Sequence, residues 1–385
     1  MSDNVTPIRP HRRQLIVKIT LIVCLAVLLI AVIVVAVQND LTDLGAVRRY
    51  FHYRSAVSQE AFGIYSYDAH NASRFSAYDD GLAVATIGGL ELLDDYGYKT
   101  LECRAVMSTP AVQSAGNYIF CYDVGGNTLI LAHATQGKIL ELTAPLPLLD
   151  ACMSSSGAFC YLTDQEGYKS LIPVYNEDHQ EIYVWYSASA FFTQCAVSPD
   201  AATLAAISIG QDDASFRSTL QIFSTNAESA GTSVDLGEQL IYDLHFLSNN
   251  MICAWGENGL YFYRTDGKKA SVVEPDEQIV RVCFDGTGFV TVWLRSNLSG
   301  AQDRICTIGS DGIQVAALDL ETEIHDLSVS GKYVSVLTTY SLQILDDRLR
   351  TYAINDSPGA AIRVRQRSDG SVILLTSTEG ELYLP

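Results

Sequence analysis

The sequence is poor in tryptophan and in basic residues, and both shortages narrow the possible folds and functions. Its 385 residues include 3 Trp against 21 Tyr, and 25 Lys and Arg against 44 Asp and Glu. No Trp-Asp dipeptide occurs, so the chain lacks one common repeat signature. A formal charge of −19 repels phosphate backbones, which argues against nucleic acid as a partner.

Sequence signatures of catalysis and of metal binding are also missing. There is no G-x-S-x-G elbow, no H-E-x-x-H helix, no P-loop and no G-x-G-x-x-G that opens a helix. The seven His are scattered and show no metal-ligand spacing. The sequence therefore predicts no catalytic residues, no metal and no cofactor. An enzyme stays open as an alternative, because carboxylates from distant repeats can be assembled at one site.

Nine cysteines in a chain of this length are too sparse for a disulfide scaffold. In the strand pattern, the first strands of repeats carry Cys152, Cys195 and Cys283, and the second strands carry Cys121, Cys160 and Cys253. We expect these residues to fill the core as small apolar groups. Cys152 and Cys160 flank one turn symmetrically, and the sequence leaves open whether they form a disulfide.

The amino-terminal segment combines a basic tail with a long apolar run. Residues 1–14 include Arg9, Arg12 and Arg13, and residues 15–37 carry a single charge, at Lys18. This length spans a bilayer, and it exceeds the 7 to 15 apolar residues of a cleaved signal peptide. We predict a transmembrane helix over residues 15–37. Residues 38–60 then form a juxtamembrane linker, for which a helix lying on the membrane and a plain amphipathic stalk both fit.

Charge asymmetry predicts the orientation of the chain in the membrane. The three arginines precede the apolar run, which places residues 1–14 in the cytoplasm. Residues 1–37 carry four basic residues and one acidic residue, so the remainder has a formal charge of −22, three more negative than the whole chain. The predicted location is a cell membrane, crossed once, with an extracytoplasmic acidic domain.

From residue 61 onward the sequence shows short β-type runs and no long helical period. Runs of five to nine residues rich in Val, Ile, Leu, Tyr and Thr alternate with Gly, Asp, Asn and Ser. A hairpin pattern of two apolar strands recurs at intervals of 37 to 49 residues, close to the period of four-stranded propeller blades. Its eight copies begin near residues 73, 110, 149, 193, 242, 280, 325 and 362.

The last copy predicts how the ring closes. Most copies continue with a third and a fourth strand, whereas the eighth ends at Pro385 after three. Residues Ala61–Tyr67 form a strand without a partner in their own repeat, and they can supply the missing one. Pairing the two ends removes the exposed sheet edges. The predicted fold is therefore all-β, an eight-bladed propeller over residues 61–385 closed by an N-terminal strand.

Two local motifs resemble those of known propeller families. The turn Ser198-Pro199-Asp200 resembles the hairpin turn of TolB-like and WD-repeat propellers, and GLYFYRTDGKK at residue 259 resembles a turn of quinoprotein-like repeats. The whole layout resembles bacterial single-pass, membrane-anchored propellers of uncharacterised function. This resemblance implies an architecture and supplies no active site.

Three long or polar loops between second and third strands suggest a binding surface. They are residues 164–169, 211–218 and 295–304, which share one face of a propeller. We expect the anchors of this surface to be aromatic or basic and its rim to be polar. The predicted anchors are Tyr168, Phe216 and Arg217, and the predicted rim is Asp212, Asp213, Asn297 and Asp303. Tolerated loop insertions explain the same pattern equally well.

The sequence thus favours a membrane-tethered, extracytoplasmic, non-catalytic propeller that binds a protein or a cell-envelope polymer. The alternative is a propeller enzyme or small-ligand receptor, of hydrolase or sugar-binding type, that uses the mouth of the central channel. A channel lined by carboxylates, His or aromatic side chains would keep this alternative, and a purely aliphatic channel would exclude it.

Overall fold

The computed structural model describes residues 63–67, 74–79, 81–212, 215–227, 231–296 and 302–385, together with Lys18, Thr20, Val23 and Tyr53. Most of the predicted basic tail, transmembrane segment and linker therefore lies outside the described residues. Within the described part, no helix is both long enough and apolar enough to cross a membrane.

The described residues between Ile64 and Tyr383 form thirty-two β-strands. The first blade contains β2 (Arg74–Tyr78), β3 (Gly81–Thr86), β4 (Gly89–Asp94) and β5 (Lys99–Arg104), and the second contains β6 (Pro110–Ala115), β7 (Tyr118–Asp123), β8 (Thr128–His133) and β9 (Gly137–Thr143). The third blade contains β10 (Leu148–Met153), β11 (Phe159–Gln165), β12 (Tyr168–Tyr175) and β13 (Glu181–Ser187), and the fourth contains β14 (Phe191–Val197), β15 (Thr203–Asp212), β16 (Ser215–Ser224) and β17 (Thr232–Gly237). The fifth blade contains β18 (Ile241–Ser248), β19 (Met251–Gly256), β20 (Leu260–Arg264) and β21 (Lys269–Val273). The sixth blade contains β22 (Gln278–Cys283), β23 (Phe289–Arg295), β24 (Asp303–Gly309) and β25 (Gln314–Leu320). The seventh blade contains β26 (Ile324–Ser330), β27 (Tyr333–Thr338), β28 (Leu342–Asp346) and β29 (Thr351–Asn355). The eighth blade contains β30 (Arg363–Gln366), β31 (Val372–Leu375), β32 (Glu379–Tyr383) and β1 (Ile64–Ser66).

The eight four-stranded sheets confirm the predicted number of blades. Seven sheets take four consecutive strands each, in antiparallel order. The eighth has the order β1-β32-β31-β30, with Ile64 opposite Glu381 and Ser66 opposite Glu379. The predicted closure by an N-terminal strand is therefore confirmed. It leaves β32 paired on both edges, as a third strand of a blade should be.

The core lies between neighbouring blades, which explains the apolar runs in the sequence. Second strands are buried on both faces, and every residue of β27 is buried. Fourth strands are outermost, and β25 alternates between exposed and partly buried residues. Aromatic pairs join the blades: Phe120 and Phe159 have ring centroids 5.2 Å apart, and those of Trp185 and Phe223 are 4.1 Å apart.

Antiparallel blades give the propeller two distinct faces. The upper face carries the turns between second and third strands and the links between blades, and the lower face carries the other turns. The turn Ser198-Pro199-Asp200-Ala201 lies on the lower face, where the Ser198 hydroxyl donates to Asp200 (2.6 Å) and accepts from the Thr203 N–H (2.9 Å). Ala201 takes a left-handed φ of 54°, and Thr225 donates to its carbonyl at 2.6 Å. This turn is purely architectural.

Candidate functional site

Two of the predicted anchors are exposed on the upper face. Tyr168 begins β12 with 47% of its surface exposed, and Phe216 lies near the start of β16 with 37% exposed. The third anchor, Arg217, pairs through its guanidinium with Asp235 on the neighbouring strand β17. Tyr168 and Phe216 are therefore available to a partner, while Arg217 is partly occupied within its own blade.

The structure describes only some residues of the predicted rim. Asp212 ends β15 on the upper face, and Asp213 and Asn297 lie outside the described residues. The prediction of an exposed Asp303 is wrong, because this residue is 2% exposed at the start of β24. Arg295 binds its carboxylate through two nitrogens at 2.8 and 3.0 Å, and the Ile324 N–H donates to it at 2.7 Å.

The pKa of Asp303 reflects this structural role. Burial by itself raises the pKa of the carboxyl, but Arg295 and the Ile324 N–H outweigh burial, and the resulting pKa is below its usual value. In its ionised form, Asp303 therefore joins the sixth blade to the first residue of the seventh blade. Its carboxylate is thus not the exposed polar group that the rim prediction required.

Five exposed aromatic residues extend across the third, fourth and fifth blades of the upper face. We call them the aromatic arc: Tyr168, Tyr186 (49% exposed), Phe191 (55%), Phe216 and Tyr242 (51%). Loop length did not reveal three of them, because they lie at the ends of strands β13, β14 and β18 beside the links between blades. A signal does exist in the sequence: the doublet Phe191-Phe192 breaks the alternation expected of a strand with one buried face.

Neighbouring side chains hold several residues of the aromatic arc in place. The ring centroids of Tyr168 and Tyr186 are 5.0 Å apart, and Tyr242 packs edge-on against Trp255 at 5.6 Å. Lys169 donates to the Ser189 carbonyl at 2.9 Å and places its ammonium 4.8 Å from the centre of the Phe191 ring. These rings are thus ordered before any partner arrives, which lowers the entropic cost of binding.

Acidic side chains lie on the same face as the aromatic arc. Glu166, Glu238 and Glu257 are exposed on the same face, in turns between strands or in links between blades. The Glu257 N–H donates to the Leu240 carbonyl at 2.9 Å, and Leu240 is itself 40% exposed. The upper face therefore offers apolar rings within a negative rim.

The central channel contrasts with the upper face, because polar side chains there link the innermost strands of neighbouring blades. Each innermost strand has a free edge toward the channel, whose N–H and C=O groups need partners. Side chains from the adjacent blade supply them. The Met153 N–H donates to Gln113 (3.1 Å), the Cys195 N–H to Asp150 (2.9 Å) and the Val364 N–H to Asp326 (2.9 Å), and Arg365 donates to the Phe75 carbonyl (2.8 Å).

A second polar group in the channel involves His245. Its Nε2 lies 3.1 Å from the Asp243 carboxylate, and its ring stacks on Phe284 with centroids 4.2 Å apart. Burial lowers the pKa of His245, but the carboxylates of Asp243 and Asp285 raise it, and the net pKa is above its ordinary value. Burial raises the pKa of the nearby Asp150 to about 6. The channel is thus polar, and a small-ligand site there stays open.

The cysteines in the described part of the chain are buried or partly buried. All eight in the described part of the chain are free, including Cys152 and Cys160, which lie directly opposite each other between β10 and β11. Burial holds the pKa of the Cys152 and Cys195 thiols well above the ordinary value. Among the described residues, no three His, Cys, Asp or Glu side chains are arranged to hold a metal ion.

Comparisons with known proteins identify a family and support the fold. The model of a family of unknown function, DUF5711, matches residues 49–353, and the chain belongs to this family. No curated protein matches the sequence. The crystal structure of the C-terminal WD40 domain of Sif2 is similar with a TM-score of 0.54 and 13% identity, over 80% of this chain and 93% of that domain.

A second solved structure is more distant. The β-propeller domain of Cps50 (Swd1) from Myceliophteria thermophila has a TM-score of 0.48 and 10% identity, over 74% of this chain and 99% of that one. At such identities the similarity to the Sif2 domain establishes the propeller fold and nothing about partners.

Proposed function

We propose that this member of the DUF5711 family is a membrane-tethered, extracytoplasmic propeller that binds a protein through its aromatic arc. The observation that carries the proposal is the exposure of five aromatic rings across three adjacent blades, four of which are held by neighbouring side chains. Rings of this kind dominate the energy of protein interfaces because each buries a large area at a small cost in side-chain entropy.

The negative rim defines the chemistry of the partner. Glu166, Glu238 and Glu257 attract basic side chains and repel acidic polymers. We therefore expect a protein segment that combines apolar anchors with Lys or Arg. Raising the salt concentration from about 0.05 to 0.5 M should weaken the complex without abolishing it, because salt screens the rim and leaves the apolar contacts.

Site-specific photocrosslinking in living cells tests the docking surface. A photoreactive amino acid in place of Tyr186 should yield a discrete protein adduct. The matched control is Tyr98, which is 64% exposed in a lower-face turn of the first blade and stacks on Tyr96. Equal adducts at both positions, no adduct at either, or an adduct that consists of polysaccharide would contradict the proposal.

The tether and the orientation rest on residues 1–37 and need a separate test. Removing Arg9, Arg12 and Arg13 while adding Lys residues after Val37 should invert the topology, because positive charge stays on the cytoplasmic side. A reporter fused after Pro385 that is active only outside the cytoplasm should then lose its signal. An unchanged signal would contradict the orientation predicted from the positive charges.

A further inference from the structure

A polar cavity of about 320 Å³ lies in the central channel toward the lower face. Five adjacent blades line it, from the sixth through the eighth to the first and second. Its charged and hydroxyl-bearing lining includes Arg281, Arg365, Asp285, Ser76, Ser114 and Ser328. This volume is at the lower end of small-molecule sites, so it suits a ligand the size of a monosaccharide.

Two guanidinium groups converge on this cavity through their shared contact with Asp326. Arg281 donates from Nη1 to Asp326 and, at 2.9 Å, to the Leu327 carbonyl. Arg365 donates from Nη1 to Asp326 at 3.0 Å and from Nε to the Phe75 carbonyl. Among the described residues, the Nε and Nη2 of Arg281 and the Nη2 of Arg365 have no hydrogen-bond partner.

The charges of this group favour a monoanion. Asp326 is 3% exposed and neutralises one of the two arginines, which leaves one positive charge within this group of three residues. Asp79 and Asp285 also line the cavity and offset that charge, so the match to a monoanion rests on the N–H donors of the two arginines. The Arg281 side chain keeps 42% of its surface accessible, so its free N–H groups reach a ligand in the cavity. Planar N–H donors match the two oxygens of a carboxylate. A dianionic phosphate fits less well, because the Asp285 carboxylate also lines the cavity.

Hydroxyl groups line the wall on the first, second and seventh blades. Ser76 and Ser114 share a hydrogen bond of 2.7 Å, Ser114 donates to the Ala77 carbonyl at 2.6 Å, and Ser328 accepts from the Gln366 N–H at 2.9 Å. Each hydroxyl oxygen has two lone pairs, so capacity remains for ligand hydroxyls. We propose that the cavity binds a small hydroxylated monocarboxylate of sugar-acid type, with its carboxylate on Arg281 and Arg365.

Calorimetric titration of the purified full-length chain with D-glucuronate tests the proposal. Binding should be saturable, and it should be at least tenfold tighter than that of D-glucose, which lacks the carboxylate, or of inorganic phosphate, which lacks the carbon-bound hydroxyls. Arg281→Gln should weaken glucuronate binding at least tenfold. The matched control, Arg348→Gln, makes the same charge change at an exposed lower-face turn of the seventh blade and should leave the affinity unchanged.

A variant that should bind more tightly provides a second test, because a general loss of structure cannot increase affinity. Asp285→Asn removes a carboxylate that repels the ligand and should tighten glucuronate binding roughly threefold. No saturable binding by the wild type below about 10 mM would overturn the proposal. It would equally be overturned if phosphate or glucose bound as tightly as glucuronate, if Arg281→Gln and Arg348→Gln behaved alike, or if Asp285→Asn weakened binding. None of these results bears on the aromatic arc, which lies on the opposite face.

Discussion

The aromatic arc and the central channel lie on the same ring of blades, but their side chains are held in different ways. Rings of the arc are 37 to 55% exposed and contact their neighbours mainly through other rings. Channel side chains such as Gln113, Asp150 and Asp326 bond the backbone of the next blade. The difference indicates that the channel contributes to ring stability, whereas the arc is free to serve a partner.

The largest effect is expected where the ring closes, at Tyr65 of β1. This side chain is fully buried, so Tyr65→Ala should lower the free energy of unfolding by about 3 to 5 kcal/mol. Chemical denaturation of the full-length chain measures this loss. The Tyr65 hydroxyl is buried without a hydrogen-bond partner among the described residues, so Tyr65→Phe is a matched control that should retain full stability. Equal losses in the two variants would contradict the packing argument.

Asp326→Ala should come next, with a loss of about 2 to 3 kcal/mol, because it leaves two partly exposed arginines close together without their shared carboxylate. Asp326→Asn keeps an acceptor for the Val364 N–H and should recover part of this loss. Denaturation midpoints of both variants measure the effect. If Asp326→Ala were as stable as the wild type, the channel would not stabilise the ring.

Asp150 provides a smaller, pH-dependent effect. Its pKa is raised to about 6 in the folded state, so the folded protein binds this proton more tightly than the unfolded chain does. The stabilising contribution is full below the unfolded pKa near 4 and is lost as the pH rises through 6. Across that window the loss should be roughly 1 to 3 kcal/mol.

The variant Asp150→Asn isolates this contribution from those of Asp243 and His245, which share the channel. Its stability relative to the wild type should rise between pH 4 and pH 8, because only the wild type must ionise a buried carboxyl. Unfolding curves at several pH values measure the difference. A difference that stays constant with pH would rule out the assignment to Asp150.

The smallest effect on stability is expected in the aromatic arc. Phe191→Ala should change the free energy of unfolding by less than about 0.5 kcal/mol, because the ring is 55% exposed. Once the partner is known, the same variant should weaken binding by about 1 to 3 kcal/mol. The exposed Tyr98→Ala on the lower face is the control for both measurements. A large loss of stability in Phe191→Ala would contradict the view that the channel stabilises the ring and the arc does not.

Local patterns in the sequence were sufficient for most of the fold. The hairpin copies predicted all eight blades, and the unpaired strand Ala61–Tyr67 predicted the closure through β1. The first inference succeeds because alternation, turn residues and spacing are short-range properties. The second succeeds because the last blade is one strand short and one strand at the other end has no partner in its own repeat, although Ile64 and Glu381 are far apart in the chain. Two of the predicted anchors, Tyr168 and Phe216, are likewise exposed, because turn residues face solvent.

Predictions that depended on distant contacts were weaker. Asp303 looked like a loop residue, yet Arg295 and the Ile324 N–H draw its carboxylate into the junction between two blades. Tyr186, Phe191 and Tyr242 were missed because they lie at strand ends beside the links between blades, outside the long loops that the prediction used.

The sequence by itself determined the blade number, the closing strand and the acidic character of the domain. The blade number follows from patterns within each repeat, the closing strand from a count that left the last blade one strand short, and the acidity from composition. Only the tertiary structure decided which side chains meet in the channel. Asp326 and Arg365 are 39 residues apart, and they meet because the ring brings adjacent innermost strands side by side. Such pairing depends on blade geometry, which no local pattern encodes.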